Sequence, residues 1–396
     1  MIYKKLFSQA SLNLLNASLA FMVTYLVINK ISIGVVGEVY LIFAFSSLIL
    51  LVNIILPPSF ACLRLQDKRG FLALLITYQV YIQILILFLT LLFCFLLYSN
   101  NMVFSFFFVL YCMSLGVMNL ADILLQARAK LDVYYKIQIY ISLIKIIVLL
   151  LLAEPSWGKQ EVFILLSMAQ LIGTIIAIYK AFSFYDKPRN RVSFNFLFRY
   201  LKNAQPIIKH YYLTSVLKKL NDNMPALIFA PIVSSEVLGL FSLYQKSLTF
   251  GGSFLRSVES LLLNRNFMSK FNHMALLLVA PVCQLLMVTC GIGYFYFTVG
   301  VNISNLLLFS FLIYPLALTV FLRTRFLSNF KSQPMNVAMS ITIVCFLLFC
   351  MAFAKPTLEF TLVAYSILIF LQASVLTFIY FLKRNKKGII NFAQKK

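Results

Sequence analysis

Apolar runs of about twenty residues follow one another along almost the whole chain, separated by short polar segments. A membrane span needs about 20 mostly apolar residues, because the hydrocarbon core is about 30 Å thick and a helix satisfies its own backbone hydrogen bonds in lipid. The pattern therefore predicts an all-α membrane protein of about 12 transmembrane helices. We place these helices near residues 8–29, 34–57, 71–98, 102–126, 134–153, 161–183, 206–229, 236–262, 273–297, 300–323, 335–354 and 357–383.

A polar, basic stretch after the sixth predicted helix divides the chain into two halves. We predict an N-terminal six-helix bundle over 1–183, a cytoplasmic linker over 184–204, a C-terminal six-helix bundle over 205–383 and a basic cytoplasmic tail over 384–396. Sliding the sequence on itself by about 202 residues lays one set of spans over the other and brings Gly239 over Gly37. Because six spans is an even number, the halves would be related by a pseudo-twofold axis along the membrane normal. Chance overlap of evenly spaced apolar helices is the alternative.

The basic residues fall on one side of the predicted topology. Most of the 34 Lys and Arg residues lie in the alternate segments that start from the N-terminus. The opposite loops contain only Lys30, Lys159 and Lys355. Since cytoplasmic loops retain positive charge, we predict a multi-pass protein of the bacterial cytoplasmic (inner) membrane with both termini inside. The net charge of +23 is then a signal of topology, so we expect membrane lipids and no nucleic acid as partners.

Composition and motifs argue against several other classes of protein. Only 11% of the residues are charged, whereas soluble chains carry about a quarter. The seven cysteines show no CxxC pairing, so no metal site is expected. No GxxxxGK[ST] phosphate loop is present, so we expect no ATPase and no cofactor, with proton or sodium coupling as possible energy sources.

Charged residues deep in predicted spans are the main candidates for function, because each costs at least about 2.5 kcal/mol at a helix centre. In the seventh predicted helix, Lys218 lies near mid-membrane, and Asp222 lies one turn further along the same face. Tyr211 extends this face in the other direction, and Lys219 lies about 100° around the helix. Lys218 and Asp222 are equally well explained as a structural ion pair.

Three more basic residues lie in other spans. Lys246 of the eighth predicted helix and Lys145 of the fifth lie near mid-depth, whereas Arg256 lies closer to the inner side, three residues before Glu259. Lys219 and Lys246 have no expected partner within one helix turn, so their functional signal is the stronger one. For Lys145, snorkelling towards a headgroup layer is the alternative. Unpaired cations around a water-filled space predict an anionic ligand such as phosphate or diphosphate.

Two stretches resemble a known family. RYLKNAQPIIKHYYLTSVLKKLNDNMPALIFAPIVSSEVLGLFSLYQKSLTF is similar to the start of the second half in the polysaccharide-biosynthesis, or O-antigen (Wzx-like), flippases. That family belongs to the multidrug/oligosaccharidyl-lipid/polysaccharide exporter superfamily. Pro206 would open the seventh helix, and Gly239 with Phe241 the eighth. NLADILLQARAKLDVYYKIQIYISLIKIIVLLLL similarly resembles the junction of the fourth and fifth helices, with Gln126 and Arg128.

The resemblance implies a flippase, not an enzyme, with two bundles around a cationic cavity that opens alternately to either side. Its cargo would be an oligosaccharide repeat unit on a polyprenyl diphosphate such as undecaprenyl diphosphate, destined for O-antigen or a related surface glycan. A polysaccharide polymerase and a chain-length regulator would be further partners. The predicted substrate-binding residues are Lys218, Lys219, Lys246, Arg256, Asp222, Lys145, Tyr211 and Asn16, and the sugar contacts would also include Asn13, Asn221 and Tyr244.

Two alternatives stay open. One is a multidrug or metabolite exporter of the same superfamily. The other is a membrane glycan polymerase or ligase, for which we would expect a long outer loop containing Arg and His. All the predicted outer loops of this chain are short. The repeat also leaves the charge mainly in the second half, because Asn16, Ala20 and Ala44 align with Lys218, Asp222 and Lys246.

Overall fold

The computed structural model of the protein describes residues 2–67, 71–97, 101–128, 130–185, 192–253, 255, 257, 275–293, 299, 301–328 and 333–393. The helices of this part of the chain are α1 Ile2–Lys30, α2 Ile33–Ile49, α3 Pro58–Asp67, α4 Phe71–Leu97, α5 Met102–Ala127, α6 Leu131–Leu152, α7 Lys159–Phe182, α8 Phe194–Phe229, α9 Ser235–Gly251, α10 Ala275–Gly291, α11 Ile303–Ser310, α12 Ile313–Ser328, α13 Gln333–Phe353 and α14 Leu358–Ala393. A 3₁₀ turn over Leu50–Ile54 extends α2. The same residues contain no β-strand.

The predicted class of an all-α membrane protein is confirmed. Within the described ranges, nine helical segments are long and apolar enough to cross a membrane. The other three predicted spans coincide with α8, which carries many charges, and with α9 and α10, which have 17 residues each. The chain is therefore a multi-pass membrane protein.

Helix α8 begins well before the position that the sequence indicated. Its N-cap is Ser193, whose side chain accepts a hydrogen bond from the backbone N–H of Phe196. Pro206 lies inside the helix, so the expectation that this proline opens it is wrong. A serine cap satisfies the first free N–H groups, whereas an internal proline removes a single backbone hydrogen bond, and packing offsets that loss. Much of the segment predicted as a linker is consequently helical.

Helix boundaries in the two halves repeat at the predicted offset of about 202 residues. Helices α2 and α9 both have 17 residues and begin at Ile33 and Ser235. Each is preceded by a serine, Ser32 or Ser234, whose side chain accepts a hydrogen bond from the backbone N–H three residues later. Helices α6 and α13 follow the same spacing, because they begin at residues 131 and 333. Equivalent chain positions thus use equivalent local structure.

Two large hydrophobic cores correspond to the two halves, and each receives side chains from the other. Phe21 of α1 packs in the second core, where its ring lies 5.5 Å from that of Phe250. Tyr211 of α8 packs in the first core, 6.1 Å from the ring of Phe60. The long helices α1 and α8 therefore interlock the two halves.

The two halves approach each other closely at the crossing of α2 and α9. A Cβ atom on Gly37 would overlap the carbonyl oxygen of Ser235, and one on Gly239 would overlap that of Ile33. The backbone of one helix is thus in direct contact with the backbone of the other, which only glycine permits. The two glycines that the sequence repeat superimposes are the residues that meet here.

We predict that Gly239→Ala destabilises the protein, by about 1–3 kcal/mol, because the added methyl group meets backbone atoms that cannot move aside. Gly293→Ala makes the same chemical change where nothing lies within 4 Å of the new Cβ. The measurement is the thermal unfolding midpoint of each purified variant in detergent. A midpoint for Gly239→Ala equal to that of Gly293→Ala would show that the helices do not touch at this point.

Candidate functional site

A cavity of about 190 Å³ lies among α1, α2, α6 and α7 of the first half and is completed by one residue of the second half, Lys246 of α9. Most of its lining is aliphatic, contributed by valines and alanine of α1 and α2 and by residues of α7. The polar members are Thr24, Tyr40, Ser142, Lys145 and Lys246. The cavity thus lies at the contact between the two halves and carries two positive charges in a mostly apolar wall.

The position of Lys246 is set by a hydrogen bond across the two halves. Its ammonium group donates to the hydroxyl oxygen of Thr24 on α1 at 2.6 Å. Lys246 lies seven residues after Gly239, which is two helical turns, so both residues face the first half. The residue aligned with Lys246 in the repeat is Ala44, which is only 2% exposed. The glycine of the crossing therefore recurs in both halves, whereas the cation does not.

Lys145 brings a second ammonium group from α6 to the same cavity. The charges of Lys145 and Lys246 act on each other electrostatically. Like charges in a half-buried, apolar setting repel, and the repulsion is stronger than in water because the effective dielectric constant is lower. An anion between them would relieve this repulsion. The structure thus brings together two lysines that lie in different halves of the sequence.

Asn16 lies next to the cavity without lining it. The hydroxyl of Ser142, which does line it, donates to the side-chain oxygen of Asn16 at 3.3 Å. Tyr40 connects the cavity wall to the second core, because its hydroxyl donates to the side-chain oxygen of Gln245. The amide nitrogen of Gln245 in turn lies 3.5 Å from the hydroxyl of Tyr365, a weak hydrogen bond. A polar chain thus runs from the cavity into the second half.

The charges of α8 act on carboxylates of both halves. Lys219 is half-buried, and the charge of Asp222, three residues further on the same helix, acts on it. Lys218 is exposed, and its charge acts on Asp122 of α5. The substrate-binding roles of Lys218, Lys219 and Asp222 stay predictions.

The remaining predicted contacts lie elsewhere. Tyr211 is 3% exposed, in the core beside Phe60, and Arg256 lies outside the described residues. Of the predicted sugar contacts, Asn13 donates to the Ser253 carbonyl at 2.7 Å, Asn221 donates to Gln372 at 3.4 Å, and Tyr244 donates to the Asn302 carbonyl at 3.4 Å. These three side chains already hold partners within the protein.

Sequence reasoning missed Asp122 and Thr24. Asp122 is a carboxylate within the apolar helix α5, and a search for acids as well as bases inside predicted spans finds it. Thr24 gave no such signal, because a threonine in a membrane helix often donates its hydroxyl to a carbonyl of the same helix. Thr24 also makes such a hydrogen bond, to the Ala20 carbonyl at 3.1 Å. In the described part of the chain, no group of three or more His, Cys, Asp or Glu residues is placed to hold a metal ion.

No protein-family model matches the sequence, and no curated protein matches it. Solved structures do resemble this chain. A crystal structure of a mutant of the Vibrio cholerae MATE transporter VcmN has a TM-score of 0.62 at 9% identity, with 97% of each chain covered. A crystal structure of a MATE in complex with MaL6 has a TM-score of 0.60 at 12% identity, with 97% of this chain and 96% of that chain covered. A chain described as protein A has a TM-score of 0.68 at 12% identity, with 96% of both covered.

This chain has the MATE transporter fold. That fold has 12 transmembrane helices in two bundles, as the sequence predicted. At identities of 9% to 12% the likeness concerns the backbone alone. The chemistry of the site must therefore be argued from the residues of this chain.

We predict that Lys145→Met and Lys246→Met leave the unfolding midpoint unchanged or raise it. Each removes one of two repelling charges from an apolar wall while keeping the length of the side chain. Lys159→Met is the control, because it removes an exposed ion pair with Glu38 at 3.6 Å, which is worth at most about 1 kcal/mol. A clear loss of stability in both cavity variants would show instead that these lysines hold the fold together.

Proposed function

We propose that the protein is a flippase of the bacterial inner membrane, with both termini in the cytoplasm. It moves oligosaccharide repeat units on polyprenyl diphosphate, such as O-antigen units, across the membrane by alternating access. The observation that carries this proposal is the meeting of Lys145 and Lys246 in one cavity, from different halves of the chain. The MATE transporter fold supports a transport function of this general kind.

The charge and size of the cavity suit a diphosphate. Lysine is a compact point charge that commonly binds phosphate, and two of them balance the charges of two phosphate groups. A volume of about 190 Å³ corresponds to roughly six water molecules at about 30 Å³ each. That space accepts a diphosphate group but not an oligosaccharide. The sugars and the polyprenyl chain would therefore extend beyond the cavity, between the halves and into the membrane.

The division of the two lysines between the halves gives a means of release. Transport requires that the affinity for cargo differ between two conformations. A movement of one half relative to the other changes the distance between Lys145 and Lys246, because they lie on α6 and α9. The site then binds an anion tightly when the ammonium groups are close and weakly when they are apart. A site formed wholly within one half would not have this property.

Export of a drug or metabolite is the second candidate function. The observation that favours it is the likeness to MATE transporter structures. The two lysines would then restrict the cargo to anionic compounds. Cells lacking the protein would become sensitive to such compounds and would keep their surface glycan.

We predict that purified protein binds inorganic diphosphate and that Lys145→Met and Lys246→Met each weaken this binding roughly 10- to 100-fold. A hydrogen bond to a charged group contributes about 1.5–3 kcal/mol, which corresponds to this range. Isothermal titration calorimetry in detergent measures the affinity. Lys355→Met, an exposed residue between α13 and α14, should bind as the native protein does. Equal affinity in all four proteins would rule out the cavity as an anion site.

Deletion of the gene should abolish long-chain surface polysaccharide and cause lipid-linked repeat units to accumulate on the cytoplasmic side. Chromatography and mass spectrometry of the extracted lipids, with gel analysis of the surface glycan, measure both effects. Native protein supplied from a plasmid should restore the glycan. Intact long-chain glycan without accumulated precursor would exclude the flippase proposal and leave the exporter.

A further inference from the structure

A groove on the first half lies between α4 and α5 and has a volume of about 380 Å³. It follows α4 from Ile76 to Leu87, which is about 16 Å at 1.5 Å per residue. Val80 and Ile84 in its wall are 55% and 60% exposed, so the groove opens to the membrane. One leaflet contributes about half of a hydrocarbon core of about 30 Å. The groove therefore has the length of a lipid chain in one leaflet.

The two polar side chains in the wall of the groove turn towards α5. The amide nitrogen of Gln79 donates to the carbonyl oxygen of Gly116 at 3.1 Å. The amide nitrogen of Gln83 packs against the same glycine, where it would lie 2.5 Å from an added Cβ atom. The other residues of the wall are apolar. A hydrocarbon chain can therefore lie in the groove without covering an exposed polar group.

One face of α5 leads from the groove to the end of the helix. Val117 and Leu120 line the groove, and Leu124 and Arg128 follow at spacings of four residues on the same face. Arg128 lies eight residues after Leu120, or about 12 Å further along the axis. The hydroxyl of Tyr185 donates to the Leu124 carbonyl at 2.8 Å, which fixes the segment after α7 against this face.

The end of α7 joins the groove to two cations. Phe182, the last residue of α7, lines the groove. Three residues later, the ring of Tyr185 carries the guanidinium group of Arg128 at 4.6 Å. The ammonium group of Lys130 lies 5.5 Å from the ring of Phe184. Both distances are those of cation–π contacts, so aromatic residues after α7 hold both cations beside the groove.

These cations are placed to bind a phosphate group. Arg128 and Lys130 are exposed, and neither forms an ion pair with another described residue. A guanidinium group has five N–H donors in one plane, so stacking on a ring leaves donors at its edge for two phosphate oxygens. Basic residues at the ends of membrane helices lie at the level of the lipid headgroups.

We propose that the first half binds one anionic phospholipid, with its phosphate at Arg128 and Lys130 and one acyl chain in the groove. A phospholipid carries its charge at one end and its chains at the other, which is the order of the cations and the groove along α5. No residue of this groove lines the cavity of Lys145 and Lys246. The inference therefore goes beyond the proposed function and does not depend on the cargo.

The test is native mass spectrometry of the full-length protein, delipidated in detergent and titrated with phosphatidylglycerol or phosphatidylcholine. The native protein should bind its first phosphatidylglycerol at least about 10-fold more tightly, because the phosphate is then paired with two cations. Arg128→Gln with Lys130→Gln should abolish this preference. Arg199→Gln with Lys202→Gln is the matched control, because it removes two exposed charges on α8. Equal preference in both double variants, or none in the native protein, would overturn the proposal.

The position of the acyl chain is tested by filling the groove. Val117→Phe adds volume to the wall and should weaken the binding of phosphatidylglycerol. Val103→Phe makes the same change at a membrane-facing position near the other end of α5, where the side chain is 61% exposed, and should bind as the native protein does. Unfolding midpoints without lipid check that each variant is folded. Native affinity in a folded Val117→Phe variant would place the chain elsewhere and overturn the proposal.

A lipid-linked cargo also joins phosphate to an apolar chain, so it is the competing occupant. Undecaprenyl phosphate should bind this site more weakly than phosphatidylglycerol, because its chain is much longer than the groove. Tighter binding would assign the groove to the cargo and overturn the proposal. Lys246→Met should bind phosphatidylglycerol as the native protein does, since Lys246 lies in the other cavity. Loss of diphosphate binding in that variant therefore leaves this inference standing, and the two proposals fail separately.

Discussion

The contact of α2 with α9 through Gly37 and Gly239 is the constraint on which the rest of the arrangement depends. Without Cβ atoms, the two backbones meet directly and fix how one half is placed against the other. Two turns after Gly239, Lys246 reaches Thr24 and the cavity of the first half. One turn after Gly37, Tyr40 bonds Gln245 of the second half. A wider separation of the helices would remove both connections and open the cavity.

The halves repeat in backbone but differ in charge, and this difference gives the site its character. Ala44, which aligns with Lys246, is a buried apolar residue, while Lys145 supplies a cation from another helix of that half. The charge of Lys218 also acts on Asp122 of the first half. Charges that depend on partners in the other half respond when the halves move. In the function proposed here, this response connects cargo binding to the movement of the halves.

Much of the fold could be predicted from the sequence, because helix boundaries depend on local apolar length and on nearby caps. The prediction of helices over 71–98 and 102–126 agrees with α4 and α5 within a residue or so. The start of α8 was misplaced because Ser193, an effective cap, lies in a stretch that resembles a polar linker. This error concerns a choice between two local helix starts, and packing decides it.

The sequence by itself determined the number and order of the spans, the repeat of about 202 residues and the presence of cations at mid-membrane. These features follow from hydrophobic length and from the cost of charge in lipid, which act residue by residue. Only the tertiary structure decided that Lys145 and Lys246 share a cavity and that Tyr211 belongs to a core. Such pairings join positions about a hundred residues apart, and they arise only when helices from both halves pack together.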